Sequence, residues 1–295
     1  MMQLTSLSFA IALALAAPAG LAQTDDAGVR VGKMSSLRNL VSAEQIETQS
    51  LQQYDGMKAQ AAQQGALVAD QHPQLLRLRK IAARLIPYVA RWNPRAPQWQ
   101  WEVNLIDAKQ VNAFCMPGGK IAFYSWILTA LKLTDDEVAI VMGHEIAHAL
   151  REHGRERAAK STIANVGAKL AGVGLSALFG IDSSLTHAAA GGVANLTMLK
   201  FSRDDETESD LVGLDLVARA GYDPRAGIVL WQKMDLLSKG APPQWLSTHP
   251  AGSNRIAEMR RHLPEVMPLY AGAKKTQVAA LAPYKSNVPG LAPVQ

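Results

Sequence analysis

Apolar positions in this chain recur mostly at helical spacing and change to a two-residue alternation after Gln98. Ser36 to Ala69 is rich in Gln, Ala and Glu with scattered Leu, Val and Ile, which predicts a long, partly exposed helix. Pro73 opens a second helix with Leu75, Leu78, Ala82, Leu85 and Val89 on one stripe, a core-packing face that ends before Asn93-Pro94. Trp99, Trp101, Val103 and Leu105 then alternate with polar residues, as in a strand buried on one face. Val111 to Met116 reads as a second strand and Lys120 to Tyr124 as a third, joined by the turn Pro117-Gly118-Gly119. Thr134-Asp135-Asp136-Glu137 is a capping box, in which Thr and Glu satisfy each other's amides, so a helix is expected over residues 134–153. A further helix is expected from Arg203 to Ala220. The fold class is therefore α+β, mainly helical, with a small antiparallel sheet beside the 134–153 helix.

Two Gly/Ala/Leu-rich arms, Ile163 to Ile181 and Thr186 to Leu199, flank Asp182-Ser183-Ser184 and read as a helical hairpin over residues 163–200. Each arm is short of the ~20 apolar residues that span a bilayer, and Lys169 interrupts the first. A buried or groove-covering hairpin is favoured, and peripheral membrane contact through residues 163–200 stays open. Residues 36–268 are taken as one folded domain. Residues 269–295 hold Pro, Ala, Gly and Lys without an apolar period, which predicts a flexible tail.

Leu7 to Ala17 is an apolar run, followed by Pro18 and Gly20-Leu21-Ala22 with small residues where signal peptidases cut. Residues 1–22 are accordingly expected to be a signal peptide cleaved after Ala22, despite the missing basic start, and residues 23–35 a flexible leader. That places the protein in the periplasm, with membrane association open. An apolar content of 48% and a charged content of 19% are those of an ordinary globular chain. A net charge of +5 without a Lys/Arg block gives no footprint for nucleic acid. Cys115 is the only cysteine, so no internal disulfide forms and the thiol is expected to be free and buried.

The chemistry lies in Gly143-His144-Glu145-Ile146-Ala147-His148. On a helix, residues four apart share a face, with Cβ atoms roughly 5–6 Å apart, so His144 and His148 can reach one zinc ion at about 2.0–2.1 Å. Glu145 flanks the ion and suits proton abstraction from its water. With seven histidines in the chain the motif alone can arise by chance, and it needs a third ligand. The expected 203–220 helix supplies one: Glu206, Asp210, Gly213 and Val217 share a face, Glu206 completes a His2Glu set, and Asp210 one turn on can fix a ligand imidazole. Gly213 would allow another helix to approach closely. Asp204, Asp205 and Glu208 read as a solvated acidic helix start.

These segments together resemble the zinc metalloendopeptidase family that contains HtpX, the CAAX prenyl endopeptidases, the mitochondrial Oma-type proteases and the periplasmic BepA and LoiP. The resemblance rests on Asn112-Ala113-Phe114-Cys115-Met116-Pro117-Gly118-Gly119, on the His-Glu motif, on Phe201-Ser202-Arg203 through Asp210, and on Ser247-Thr248-His249-Pro250 with Arg255. It implies one zinc per chain held by His144, His148 and Glu206, with Glu145 as general base and Asp210 behind the ligands. His249 and Arg255 fall near the metal by resemblance, His249 either stabilising an oxyanion or occupying the open zinc position in a latent form. Arg255 is equally readable as a salt-bridge partner. Ser209 stands where the family usually has Ala. The resemblance further implies substrate addition to a sheet edge, and neither the membrane spans of HtpX nor the helical repeats of BepA are expected. The function expected is proteolysis of unfolded or misassembled envelope proteins, in protein quality control. The alternatives are a zinc-stabilised chaperone or assembly factor that binds without cutting, and a peripheral membrane protein using the hairpin.

Overall fold

The computed structural model describes residues 27–171, 200–237, 244–249 and 254–295. The expected signal peptide and most of the expected 163–200 hairpin lie outside the described residues. In chain order come α1 (Ala43–Gln63), α2 (Pro73–Leu85), β1 (Glu102–Ile106), β2 (Ala113–Met116), β3 (Lys120–Tyr124), α3 (Ser125–Ala130), α4 (Asp135–Leu150), α5 (His153–Ala171), α6 (Arg203–Arg219), α7 (Ala226–Leu237), α8 (Gln244–Thr248) and α9 (Arg255–Ala273). Short 3-10 turns join several of them. The molecule is α+β and mainly helical, and none of its described helices is long and apolar enough to cross a membrane.

The sheet is mixed, which corrects the antiparallel expectation. Its order is β1-β3-β2, with β2 antiparallel to β3 but β1 parallel to it, Val103 facing Ile121. The glycine turn closes β2 and β3 into a hairpin, while the β1 to β2 connection crosses over instead of forming a second one. β2 is thereby left on an edge, packed along α4.

The expected one-sided burial fails as well, because helices cover both faces. Leu105, Ile121 and Phe123 enter the main core with α2 and α4, whereas Ile106, Phe114 and Ala122 pack with Tyr54 and Ala61 of α1. Tyr54 donates its hydroxyl to the Ile121 carbonyl at 2.5 Å and accepts from Asn104 at 3.1 Å, so a polar anchor holds α1 on the sheet.

Helix α4 starts where its sequence dictates. Thr134 accepts from the Glu137 amide and Glu137 accepts from the Thr134 amide, and every residue from Glu137 to Leu150 is buried. It lies against α6 at a glycine contact. A Cβ on Gly213 would stand 3.0 Å from the His144 nitrogen, and one on Gly143 would stand 3.2 Å from the Gly213 carbonyl oxygen. Only glycine lets these backbones meet, and the meeting sets the His pair beside the carboxylates of α6.

The leader from residue 27 onward and the stretch after α9 both make contacts with the described core. Val29 of the leader is 1% exposed, Arg219 donates to the Ala27 carbonyl, and Arg151 donates to the Gly32 carbonyl at 2.5 Å. At the other end α9 continues to Ala273, and Tyr284 and Val294 pair in a β-bridge within the main core. Tyr284 shares a 2.8 Å hydrogen bond with Thr134, and buried Lys233 joins Glu137 at 2.7 Å to Asn287 at 2.6 Å. Two isolated apolar anchors suffice to seat a stretch that shows no period.

Candidate metal centre

Four donors converge at the face of α4: the imidazoles of His144 and His148, the Glu206 carboxylate and His249 Nδ1, all buried and within 4.8 Å of one another. His144 Nε2 lies 3.1 Å from His148 Nε2, 3.3 Å from His249 Nδ1 and 3.5 Å from Glu206 Oε2. Glu206 Oε1 lies 3.4 Å from His148 Nε2 and 3.0 Å from His249 Nδ1. A tetrahedral zinc ion with bonds of 2.0–2.1 Å needs donors about 3.3 Å apart, and two or more imidazoles with a carboxylate are a usual zinc set. The residues therefore fit the ion, with His249 as a fourth donor.

Glu145, one residue along α4 from His144, points to the side of this cluster. Its Oε1 accepts from the Trp245 indole N–H at 2.7 Å and lies 3.5 Å from His249 Nε2. Trp245 stacks on His249 with centroids 5.0 Å apart, and its backbone N–H donates to the Val111 carbonyl just before β2. Helix α8 thus carries His249 to the donor set and holds Glu145 from the opposite side. Sequence reading missed Trp245, since an indole two residues before Ser247 has no spacing signal that relates it to a glutamate 100 positions earlier.

Asp210 and Arg255 stand behind the donors. Asp210 Oδ1 is 2.9 Å from His144 Nδ1, and Arg255 grips Asp210 at 2.6 and 2.5 Å while reaching Glu206 Oε2 at 2.7 Å. Arg255 also lies over the Trp231 ring, 3.9 Å from its centroid. Burial opposes charge on Asp210, but Arg255 and His144 outweigh it and hold the carboxyl below its ordinary range. Burial likewise opposes charge on Glu206, and His144, His148 and His249 outweigh it and hold its carboxyl below its ordinary range. Burial pushes His148 well below its ordinary value, toward the neutral imidazole that a metal ligand must be.

Of the acidic residues expected to be solvated, Glu208 is instead tied to Arg151 and His153 at 2.7 Å each, and Asp205 closes a capping box with Ser202. Phe201 stacks on His148 at 3.9 Å. Cys115 is buried and free, and burial followed by the Glu145 charge pushes its thiol well above the ordinary value.

A His pair on one buried helix, a carboxylate from a second helix and a glutamate beside the pair are the arrangement of a gluzincin-type metallopeptidase site. The comparisons make the class specific. The chain belongs to peptidase family M48, whose sequence pattern matches residues 74–263. It is 32% identical over 220 residues to the mitochondrial metalloendopeptidase OMA1 of Danio rerio, covering 70% of this chain and 44% of that protein. It is 32% identical over 157 residues to the metalloprotease LoiP of Escherichia coli K12, covering 52% and 59% respectively. The beta-barrel assembly-enhancing protease of Escherichia coli O157:H7 is 29% identical over 171 residues, covering 56% and 35%. The chain thus spans less than two thirds of the length of these relatives.

Proposed function

We propose that this chain is a zinc-dependent endopeptidase of the bacterial cell envelope that cuts unfolded or misassembled envelope proteins in quality control. The observation that carries the reading is the buried four-donor cluster with Glu145 at its side. A zinc-stabilised chaperone would need the ligands but no glutamate aimed past them. The envelope setting rests on the signal-like residues 1–22 and on relatives that include a beta-barrel assembly-enhancing protease.

His144, His148 and Glu206 would hold the zinc, which when bound supplies a Lewis acid that acidifies water and polarises the scissile carbonyl. Glu145 takes the proton of the attacking water and returns it to the leaving amine. Asp210 accepts from His144 Nδ1 and so keeps its Nε2 lone pair on the donor set. Arg255 balances the carboxylates of Glu206 and Asp210. The β2 edge beside α4 offers unpaired backbone groups to an extended peptide, which would add as a further strand.

The direction of His249 Nδ1, into the donor set, favours the latent reading of this residue over an oxyanion role. His249→Ala should then keep one zinc and cleave unfolded substrate faster than the wild type, whereas an oxyanion role requires slower cleavage. The principal test is casein digestion with and without a chelator. Glu145→Gln should retain one zinc and lose cleavage, and His144→Ala should lose the metal. Chelator-insensitive digestion would overturn the reading, and aggregation suppression by a wild type that never cuts would establish the chaperone. Peripheral membrane contact through residues 163–200 is tested by flotation with vesicles.

A further inference from the structure

His144 and His148 meet their supports differently. His144 rests directly on a carboxylate, Asp210, which Arg255 secures. Among the described residues no carboxylate stands within reach of Nδ1 behind His148; His153 Nδ1 stands there instead, at 2.9 Å, and His153 Nε2 is 2.7 Å from Glu208 Oε2. Glu208 Oε1 in turn accepts from Arg151 at 2.7 Å, and the same Arg151 nitrogen donates to the Gly32 carbonyl at 2.5 Å. His148 and His153 are 3% and 2% exposed, so water does not compete for these contacts.

Given the proposed zinc site, on which this inference rests, we propose that His153 and Glu208 are positioning residues that fix the tautomer and ring orientation of the metal ligand His148. The donor and acceptor logic admits one arrangement with both imidazoles neutral. His148 Nε2 faces the donor set and keeps its lone pair there, so its proton sits on Nδ1 and is donated to His153 Nδ1. His153 must then carry its own proton on Nε2, where the Glu208 carboxylate accepts it. A carboxylate thereby acts on the second ligand through one intervening ring, and Arg151 secures it as Arg255 secures Asp210.

The backbone is shaped for this contact. Helix α4 ends at Leu150, Glu152 adopts φ +57°, and α5 begins at His153. An uninterrupted helix would carry residue 153 about 500° round from residue 148, away from its ring. The break turns His153 back toward His148, and Glu152 is held in it by Arg38 at 2.7 Å and Arg155 at 2.9 Å. Ser209 Oγ, present where the related family usually has Ala, lies 3.3 Å from His153 Nδ1 and adds a weaker contact at the same nitrogen.

The test measures zinc affinity of the full chain by chelator competition, together with visible absorption of the cobalt-substituted protein. His153→Phe keeps ring volume and removes both contacts. Glu208→Ala removes the carboxylate from a partly exposed position and does not depend on refilling a buried site. Both should weaken zinc roughly 10–100-fold, as loss of a ligand's hydrogen-bond partner does elsewhere, and shift the cobalt bands. His153→Asn, whose Oδ1 can accept from His148 Nδ1, should recover much of the affinity. A packing role alone would lower the melting temperature of the metal-free variants and leave zinc affinity and cobalt spectrum at wild-type values, which overturns the proposal. Equal loss in His153→Asn and His153→Phe also overturns it. A wild type that binds no zinc fails the site itself, an outcome separate from variants that bind as well as the wild type.

Discussion

Arg255 touches two buried carboxylates and the face of an indole, and its removal would leave Glu206 and Asp210 without their fixed counter-charge. Arg255→Met is expected to destabilise the metal-free protein by about 3–5 kcal/mol, read by urea unfolding, and saturating zinc should recover part of that loss by restoring positive charge. Arg255→Lys should restore little, because a single ammonium cannot span both carboxylates as the guanidinium fork does. At this scale the sequence was informative where chemistry repeats at helical spacing. His144, His148, Glu206 and Asp210 are named by their periodicity, and the structure brings their side chains together. The sequence around Arg255 admits two readings, and the structure pairs its guanidinium with Glu206 and Asp210. His153 and Glu208 were not legible: a histidine five residues past a ligand should leave its face, and nothing local announces the left-handed turn at Glu152.

Among the elements, the α4 and α6 pair depends on its glycine contact. Gly213→Ala would place a methyl carbon 3.0 Å from the His144 nitrogen, and should cost about 1–3 kcal/mol in denaturant unfolding by forcing the helices apart. Zinc affinity should fall with it, because the same displacement separates His144 from Glu206. Both helices were readable, α4 from its capping box and α6 from its shared face, since caps and periods are local. The pairing of the strands was not. Parallel β1 and β3 require a choice of neighbour that no stretch of five residues encodes, and the alternation around Val103 was misleading because α1 covers the second face with Tyr54 and Ala61.

For the whole molecule, the residues after α9 are fastened to the core through Tyr284 and Val294. Tyr284→Ala removes a buried ring and its contact to Thr134, and is expected to cost roughly 3–5 kcal/mol by thermal or urea unfolding, with the cap of α4 loosened in hydrogen exchange. The tail escaped sequence reading because Tyr284 and Val294 stand alone among Pro, Ala and Gly, and long-range pairing leaves no period. The two ends of α4 are therefore fastened by remote parts of the chain: Thr134 meets Tyr284, 150 positions later, and Arg151 meets Gly32, 119 positions earlier. Closing such long loops is slow compared with forming local helices. In order of time, the helix that bears His144, Glu145 and His148 gains its Tyr284 fastening only when chain 150 positions beyond Thr134 has docked, so a half-refolded molecule has its His pair in hand before it has the frame to hold it still.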